Sequence, residues 1–262
     1  MKKGSALRTF LYKILYIIVA IGLWHAIVVV FKVKEFVVPS PVSVFKSVFG
    51  VATIAESTWW DHIGTTVSEI LVAFSFTAVL GFLLSLLITW SKVVRNIVMP
   101  IISVFNSLPK IVLAPLFLIW LGYGFMANVT IAILVAFFPI VLNTTVGLES
   151  VDEDLLDLVR YLNASKLQVF IKIRIPNSLP YVFSGLKISA TMSVVGAIVG
   201  EFVASSKGLG FVIKDSQAML NTPPMFASLI LVSAVGLGLF SLISWLEKVS
   251  MPWNRNEGGG LE

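Results

Sequence analysis

The sequence predicts an all-α membrane protein of about six transmembrane helices, with the N- and C-termini on the inner side. Three observations carry that prediction. Of the 262 residues, 57% are hydrophobic and 13% charged, whereas soluble domains carry roughly a quarter charged residues. Stretches at about 10–31, 66–90, 96–121, 126–147, 179–203 and 226–249 each reach the roughly 20 apolar residues that a helix needs to cross a bilayer. Most of the 19 Lys and Arg fall in the N-terminal segment and the alternate connectors on its side, and such an excess marks the inner face.

The elements follow in order. The basic segment Met1 to Arg8 precedes an apolar run too long for a signal peptide, which has a core of about 7–15 residues. The run is therefore expected to be a retained helix, with His25 packed inside the bundle. In the outer connector, 32–65, Pro41 after Ser40 predicts the start of a short surface helix. Trp59, Trp60 and His62 close that connector and read as an aromatic belt at headgroup level. Glu69 then opens the second span at the interface.

Lys110, directly after Pro109, falls about 16 Å of helical rise from the nearer end of the third span. An ammonium at that depth must face protein or water, because it costs at least about 2.5–3.5 kcal/mol in lipid. It either borders a solute pathway or bonds carbonyls freed by Pro109 and Pro115.

The inner connector, about 148–178, holds the one dense acidic run, Glu149 to Asp157. Ser150 and Glu153 have capping-box spacing, and Leu155, Leu158, Val159 and Leu162 follow at helical intervals. These predict a short amphipathic helix over about 151–162, ended by Asn163 in a left-handed conformation. Ser165 and Gln168 repeat the capping spacing and open a second helix carrying Val169, Phe170 and Ile173, which Pro176 stops. The product is a compact two-helix knob, to be weighed against a helix lying in the lipid interface.

Along the fifth span Gly185, Ser189, Ala190, Ser193, Gly196, Ala197 and Gly200 form a small-residue stripe suited to close helix packing, within the chain or between chains. Glu201 at its outer end either lines a vestibule or pairs with Lys207. Residues 1–256 read as a single membrane domain, and Gly258-Gly259-Gly260-Leu261-Glu262 as part of an artificial tail, 257–262.

Several classes of chemistry are excluded by composition. There is no cysteine and there are two histidines, so disulfides, thiolate metal sites and His clusters cannot be built from one chain. No G-x4-G-K-[ST] phosphate loop is present, nor a catalytic constellation within the spans. The net charge of +5 comes from residues flanking apolar runs, so nucleic acid is not an expected partner.

The knob carries a further pattern. Asp157-Leu158-Val159, then Asn163, then Ile173-Arg174-Ile175-Pro176 have the spacing E-A-A, three residues, G, nine residues, I-x-L-P. This resembles the coupling loop of ABC-importer permeases. Leu158 and Val159 replace two alanines of that pattern, and Asn163 replaces its glycine. Ser107 to Leu116, Trp120-Leu121-Gly122, Phe137-Phe138-Pro139-Ile140, Asn143-Thr144, Gly147-Leu148, and Glu201 followed by Gly208-Leu209-Gly210 resemble the nitrate/sulfonate/taurine type, over about residues 37–250.

The resemblance implies a type I ABC importer permease fold and a multi-pass protein of the bacterial inner membrane, surrounded by lipid. It implies cytoplasmic ATPase subunits, a second permease chain (a homodimer, or a pair with a close relative), and a periplasmic or lipid-anchored solute-binding protein. ATP and Mg would be bound by the ATPase partner, with no cofactor in this chain, which is then a transport subunit and not itself an enzyme. Leu155, Asp157, Leu158, Val159, Leu162, Asn163, Ile173 and Pro176 would couple to the ATPase, while Lys110 and Glu201 are the pathway candidates. The solute stays open between small anions and vitamins or their precursors. The competing class is a secondary transporter or channel without an ATPase, whose inverted repeats are not visible here.

Overall fold

A computed structural model describes residues 3–49, 53–54 and 57–252. The tail at 257–262 lies outside the described residues. Helix α1 spans Lys3–Val30, and a surface helix α2 spans Pro41–Phe49. As expected from Ser40 and Pro41, the Ser40 hydroxyl accepts from the Ser43 amide at 3.1 Å and so caps α2. A two-residue antiparallel ladder pairs β1 (Thr53–Ile54) with β2 (Ser57–Thr58).

Helix α3 runs Trp59–Trp90, about two turns earlier than the apolar run alone predicts. A capping box explains the early start: the Thr58 side chain accepts from the Asp61 amide, and Asp61 accepts from the Thr58 amide. Trp59 and His62 are therefore helical and buried, and only Trp60 stands out at 81% exposure. The belt expected of all three residues reduces to that one tryptophan.

The third span is not continuous. Helix α4 (Lys92–Ser107) ends at Leu108, and a 3-10 turn (Lys110–Leu113) leads into α5 (Ala114–Leu121). The two halves are bent by 85°. Pro109 supplies no amide to the α4 ladder and drives Leu108 into an extended conformation (ψ 139°), so the helix breaks there.

Helix α6 spans Phe125–Glu149, and α7 spans Glu153–Tyr161. Helix α8 (Lys166–Val169) passes through a π turn (Phe170–Arg174) into α9 (Ile175–Ala204). Helices α10 (Leu209–Ala218) and α11 (Thr222–Ser250) complete the chain. Pro176 was expected to stop a helix, but it sits in the first turn of α9. The π turn carries the backbone past it, with the Ile175 amide reaching Phe170 O five residues back.

Among the described residues, four helices are long and apolar enough to cross a membrane, and α4 with α5 makes a fifth as one bent span. Helix α1 adds a shorter apolar stretch, Leu15–Val30. His25 in that stretch is exposed, not packed.

The core is built by α3, α6 and α9, joined by α11 through Leu239 and Ile243. The small-residue stripe of α9 is consumed by packing within the chain. A Cβ on Gly196 would fall 2.5 Å from Ala132 Cα of α6, and Ser189 Oγ donates to Ala136 O at 2.8 Å. Ala190 and Ala197 are buried in the same seam. Backbones approach this closely only where side chains are minimal, so in this chain the stripe packs against α6. Lys187 of α9 pairs with Glu247 of α11.

Candidate coupling surface and polar core

At one end of the bundle, the connector between α6 and α9 forms the knob. Asn163 is left-handed at φ 54°, and its amide bonds Arg160 O at 2.9 Å, closing α7 as expected. The Ser165–Gln168 capping box is complete. The other cap differs from expectation. Asp152, not Ser150, caps α7, accepting from the Asp154 amide at 2.8 Å. Ser150 instead donates to Gly147 O at 3.0 Å and accepts from Asn177 Nδ2 at 3.2 Å. It thereby ties the end of α6 to the start of α9.

The knob is bolted to the membrane helices. Lys166 Nζ donates to Trp90 O at 2.6 Å and lies 4.4 Å from the Trp90 ring centroid. Phe170 meets the same ring edge-on at 5.2 Å. Arg174 donates to Leu148 O at 3.0 Å, and Arg95 pairs with Glu149 at 2.8 Å.

Against this anchored side stands an uncovered one. Leu155, Leu158 and Leu162 are 41%, 54% and 67% exposed, and Tyr161 and Leu167 extend the same apolar surface. Val159 and Ile173 are half-buried, and Asn163 and Pro176 exposed. Asp157 is exposed and bonds Arg160 at 2.6 Å. Seven of the eight sequence-selected residues thus lie on the knob, with the leucines forming its apolar face, and Pro176 lies just beyond it in the first turn of α9.

Near the opposite end, α3, α6, α9 and α10 enclose a polar core that sequence reasoning did not assemble. Glu201, Glu69, His62, Thr66 and Asn128 are all fully buried. Helix α10 begins in this core, and a helix start leaves backbone amides without partners. Here side chains from α3 and α9 supply them. Gly208 N donates to His62 Nδ1 at 3.1 Å, Leu209 N to Thr66 Oγ1 at 2.8 Å, and Gly210 N to Glu201 Oε2 at 2.5 Å.

Thr66 in turn donates to Glu201 Oε1 at 2.5 Å, and His62 Nε2 bonds Ile54 O at 3.1 Å. Asn128 Nδ2 donates to Glu69 Oε1 at 2.8 Å. Gly208 has φ +108°, and a Cβ there would lie 2.3 Å from Glu201 Cδ, so only glycine admits the carboxylate. Both expectations for Glu201 are corrected. It has no accessible surface to line a vestibule, and the ion pairs of the described residues do not join it to Lys207. Burial beneath α10 takes it out of reach of both. Glu69, expected at the interface, is equally buried.

Lys110 sits at the bend of the broken span. Its Nζ donates to Asn106 O at 3.0 Å and Asn106 Oδ1 at 2.9 Å, and lies 4.7 Å from the Phe138 ring centroid. The carbonyl it satisfies is one that α4 leaves open at its end, where a cation also suits the helix dipole. This is the anchoring arrangement, made at Asn106 and not at Pro115.

A broken-span helical bundle carrying an anchored knob is the architecture of a multi-pass membrane protein. The chain belongs to the family described as binding-protein-dependent transport system inner membrane component, whose model matches residues 77–249. It is 32% identical to the formylaminopyrimidine transport permease protein ThiX of Halalkalibacterium halodurans, over 86% of this chain and 88% of that protein. It is 31% identical to the nitrate import permease protein NrtB of Synechocystis, over 82% and 80%.

Its fold is similar to that in the inward-facing conformations of the MetNI methionine ABC transporter. There the TM-score is 0.56 at 20% identity, over 70% of this chain and 93% of that one. The chain is thus the membrane-spanning permease subunit of an ABC importer, a multi-pass protein of the inner membrane. As such it works with an ABC ATPase and a solute-binding protein, which sets aside the secondary transporter or channel.

Proposed function

We propose that the knob formed by α7, α8 and the π turn is the surface on which the ATPase docks. The observation that supports this is the exposed row Leu155, Leu158 and Leu162 on an element fixed to α3, α6 and α9. An apolar face held rigidly transmits a displacement, whereas one on a loose loop would absorb it. Asp157, Val159, Asn163 and Ile173 shape the same element, and Pro176 opens the helix that carries it into the membrane. The partner binds ATP and Mg and hydrolyses the ATP, and this chain supplies the pathway and the lever. Two copies of the chain form that pathway across the lipid bilayer, and Lys110, at the bend between α4 and α5, borders it.

The solute is a small polar molecule chosen by the binding protein. The two relatives are named for a heterocyclic organic molecule and an inorganic anion, a spread that a permease pathway tolerates when selection happens upstream.

The docking surface is tested by replacing Leu155 and Leu158 together with Asp. Both side chains are solvent-facing, so insertion and melting temperature should hold. Two charges in an apolar contact cost several kcal/mol, so co-purification of the ATPase and solute-stimulated ATP hydrolysis should fall at least about tenfold. Undiminished stimulation refutes the assignment.

A further inference from the structure

A second site lies on the other side of the knob, between it and the membrane helices. The α3–α4 junction, α7 and the start of the α8–α9 helix enclose a pocket of about 380 Å³. Lys92, Arg160, Lys166 and Arg174 line it, with Thr89 and Phe170 among the remaining wall residues. Four cations around one cavity repel one another, and of the four only Arg160 has a carboxylate partner among the ion pairs of the described residues, namely Asp157.

The other cations are positioned without being neutralised. Lys166 and Arg174 spend hydrogen bonds on the backbone oxygens of Trp90 and Leu148, which fixes their heads and leaves their charge uncompensated. Lys92 is exposed and begins α4, whose N-terminal end adds a partial positive charge to the same cavity. The Thr89 hydroxyl finds no hydrogen-bond partner within the protein.

We propose that this pocket binds the phosphate of an anionic phospholipid headgroup from the inner leaflet. Depth decides the occupant. Thr89 and Trp90 form the last turn of a membrane-crossing helix and Lys92 the first residue of the next. The cavity therefore opens at the level where a span leaves the hydrocarbon, with Trp90 as an interfacial aromatic. Basic pockets between transmembrane helices on the cytoplasmic side suit lipid phosphates. Phe170 gives the pocket an apolar wall for the glycerol end of an acyl chain, which a soluble phosphate would not use. A lipid there would wedge between α7 and the α3–α4 junction, on the side of the knob opposite its exposed leucines. The site does not depend on where the ATPase docks.

The experiment is native mass spectrometry of the full-length chain released from nanodiscs of equal phosphatidylglycerol and phosphatidylcholine. The wild-type chain should retain phosphatidylglycerol preferentially. Lys92→Gln and Arg160→Gln should each lower that retention roughly fivefold, as expected of one headgroup-facing charge. Lys92→Arg should preserve retention, and so should Lys214→Gln, remote from the pocket. Melting temperatures of all variants in phosphatidylcholine alone should match, which separates lost binding from lost folding. Millimolar inorganic phosphate should not displace the lipid.

Equal retention of the two lipids, or retention unaffected by Lys92→Gln and Arg160→Gln, overturns the proposal. So does displacement by inorganic phosphate, which would make the site one for a soluble anion. Variants that keep phosphatidylglycerol but lose the co-purifying ATPase would assign the pocket to a carboxylate of that partner, and would overturn the proposal equally.

Discussion

At the residue scale, the start of α10 shows how a membrane protein satisfies a helix end without water. Three consecutive amides, those of Gly208, Leu209 and Gly210, are accepted by His62, Thr66 and Glu201 from two other helices. Thr66 is the hinge of the arrangement, because its hydroxyl gives to Glu201 while receiving from Leu209. Thr66→Val keeps the shape and removes both bonds, stranding a buried amide and a carboxylate oxygen. Each orphaned group costs about 1–3 kcal/mol, so the purified chain should melt several degrees lower. Gly208→Ala should be worse, since it adds strain at φ +108° to a 2.3 Å clash with Glu201 Cδ. Glu201→Gln should be the mildest, because an amide oxygen can still accept from Gly210. If thermal unfolding ranks the three otherwise, the cap is not what holds α10.

The sequence displayed only part of that cluster. Gly208-Leu209-Gly210 and Glu201 stood out as a motif, and the Gly210 bond spans nine residues. His62 and Thr66 reach across 146 and 143 residues, and no local spacing encodes a contact of that range. Polar residues in an apolar helix signal burial only once their partners are known, so Glu69 and His62 read as interfacial when taken alone.

At the element scale, the knob was more legible than the spans. Capping boxes and a left-handed Asn are local chemistry, so Asn163 and the Ser165–Gln168 box fell where their spacing put them. Two local signals misled because a competitor was present. Asp152 caps α7 more closely than Ser150 can, and the π turn lets the chain pass Pro176 without a stop. The third span failed for a different reason. Hydropathy sees an unbroken apolar run through Pro109, while the backbone turns by 85° there.

Lys110 stabilises that turn. Lys110→Met removes both bonds to Asn106 and should lower stability by about 1 kcal/mol, whereas Lys110→Arg should recover part of it, since the charge is retained but the compact ammonium is not. If Lys110 also borders the pathway, solute uptake in the Met variant should drop beyond what the lost stability accounts for, with binding-protein affinity intact. Wild-type stability together with wild-type uptake in Lys110→Met removes both roles.

At the scale of the whole molecule, one chain leaves more apolar surface uncovered than its own helices can use. Lipid covers most of it, and one uncovered face of α9 is the place where a second chain would fit. Ile188 and Val195 are 42% and 40% exposed, and Thr191 between them is exposed too, its hydroxyl bonded back to Lys187 O at 3.2 Å. These three lie at intervals of three and four residues, one stripe of the helix, on a different side from the Gly196 seam that α6 fills. A second copy of the chain would meet that stripe if α9 lies near the axis of the proposed pair. The chain has no cysteine of its own, so single cysteines report cleanly. In membranes, Ile188→Cys, Thr191→Cys and Val195→Cys should cross-link between chains, while Ser189→Cys and Ser193→Cys, buried within the chain, should not. A pattern without helical periodicity would place the contact elsewhere, and a single permease chain in an active, ATPase-bound preparation would end the paired arrangement altogether.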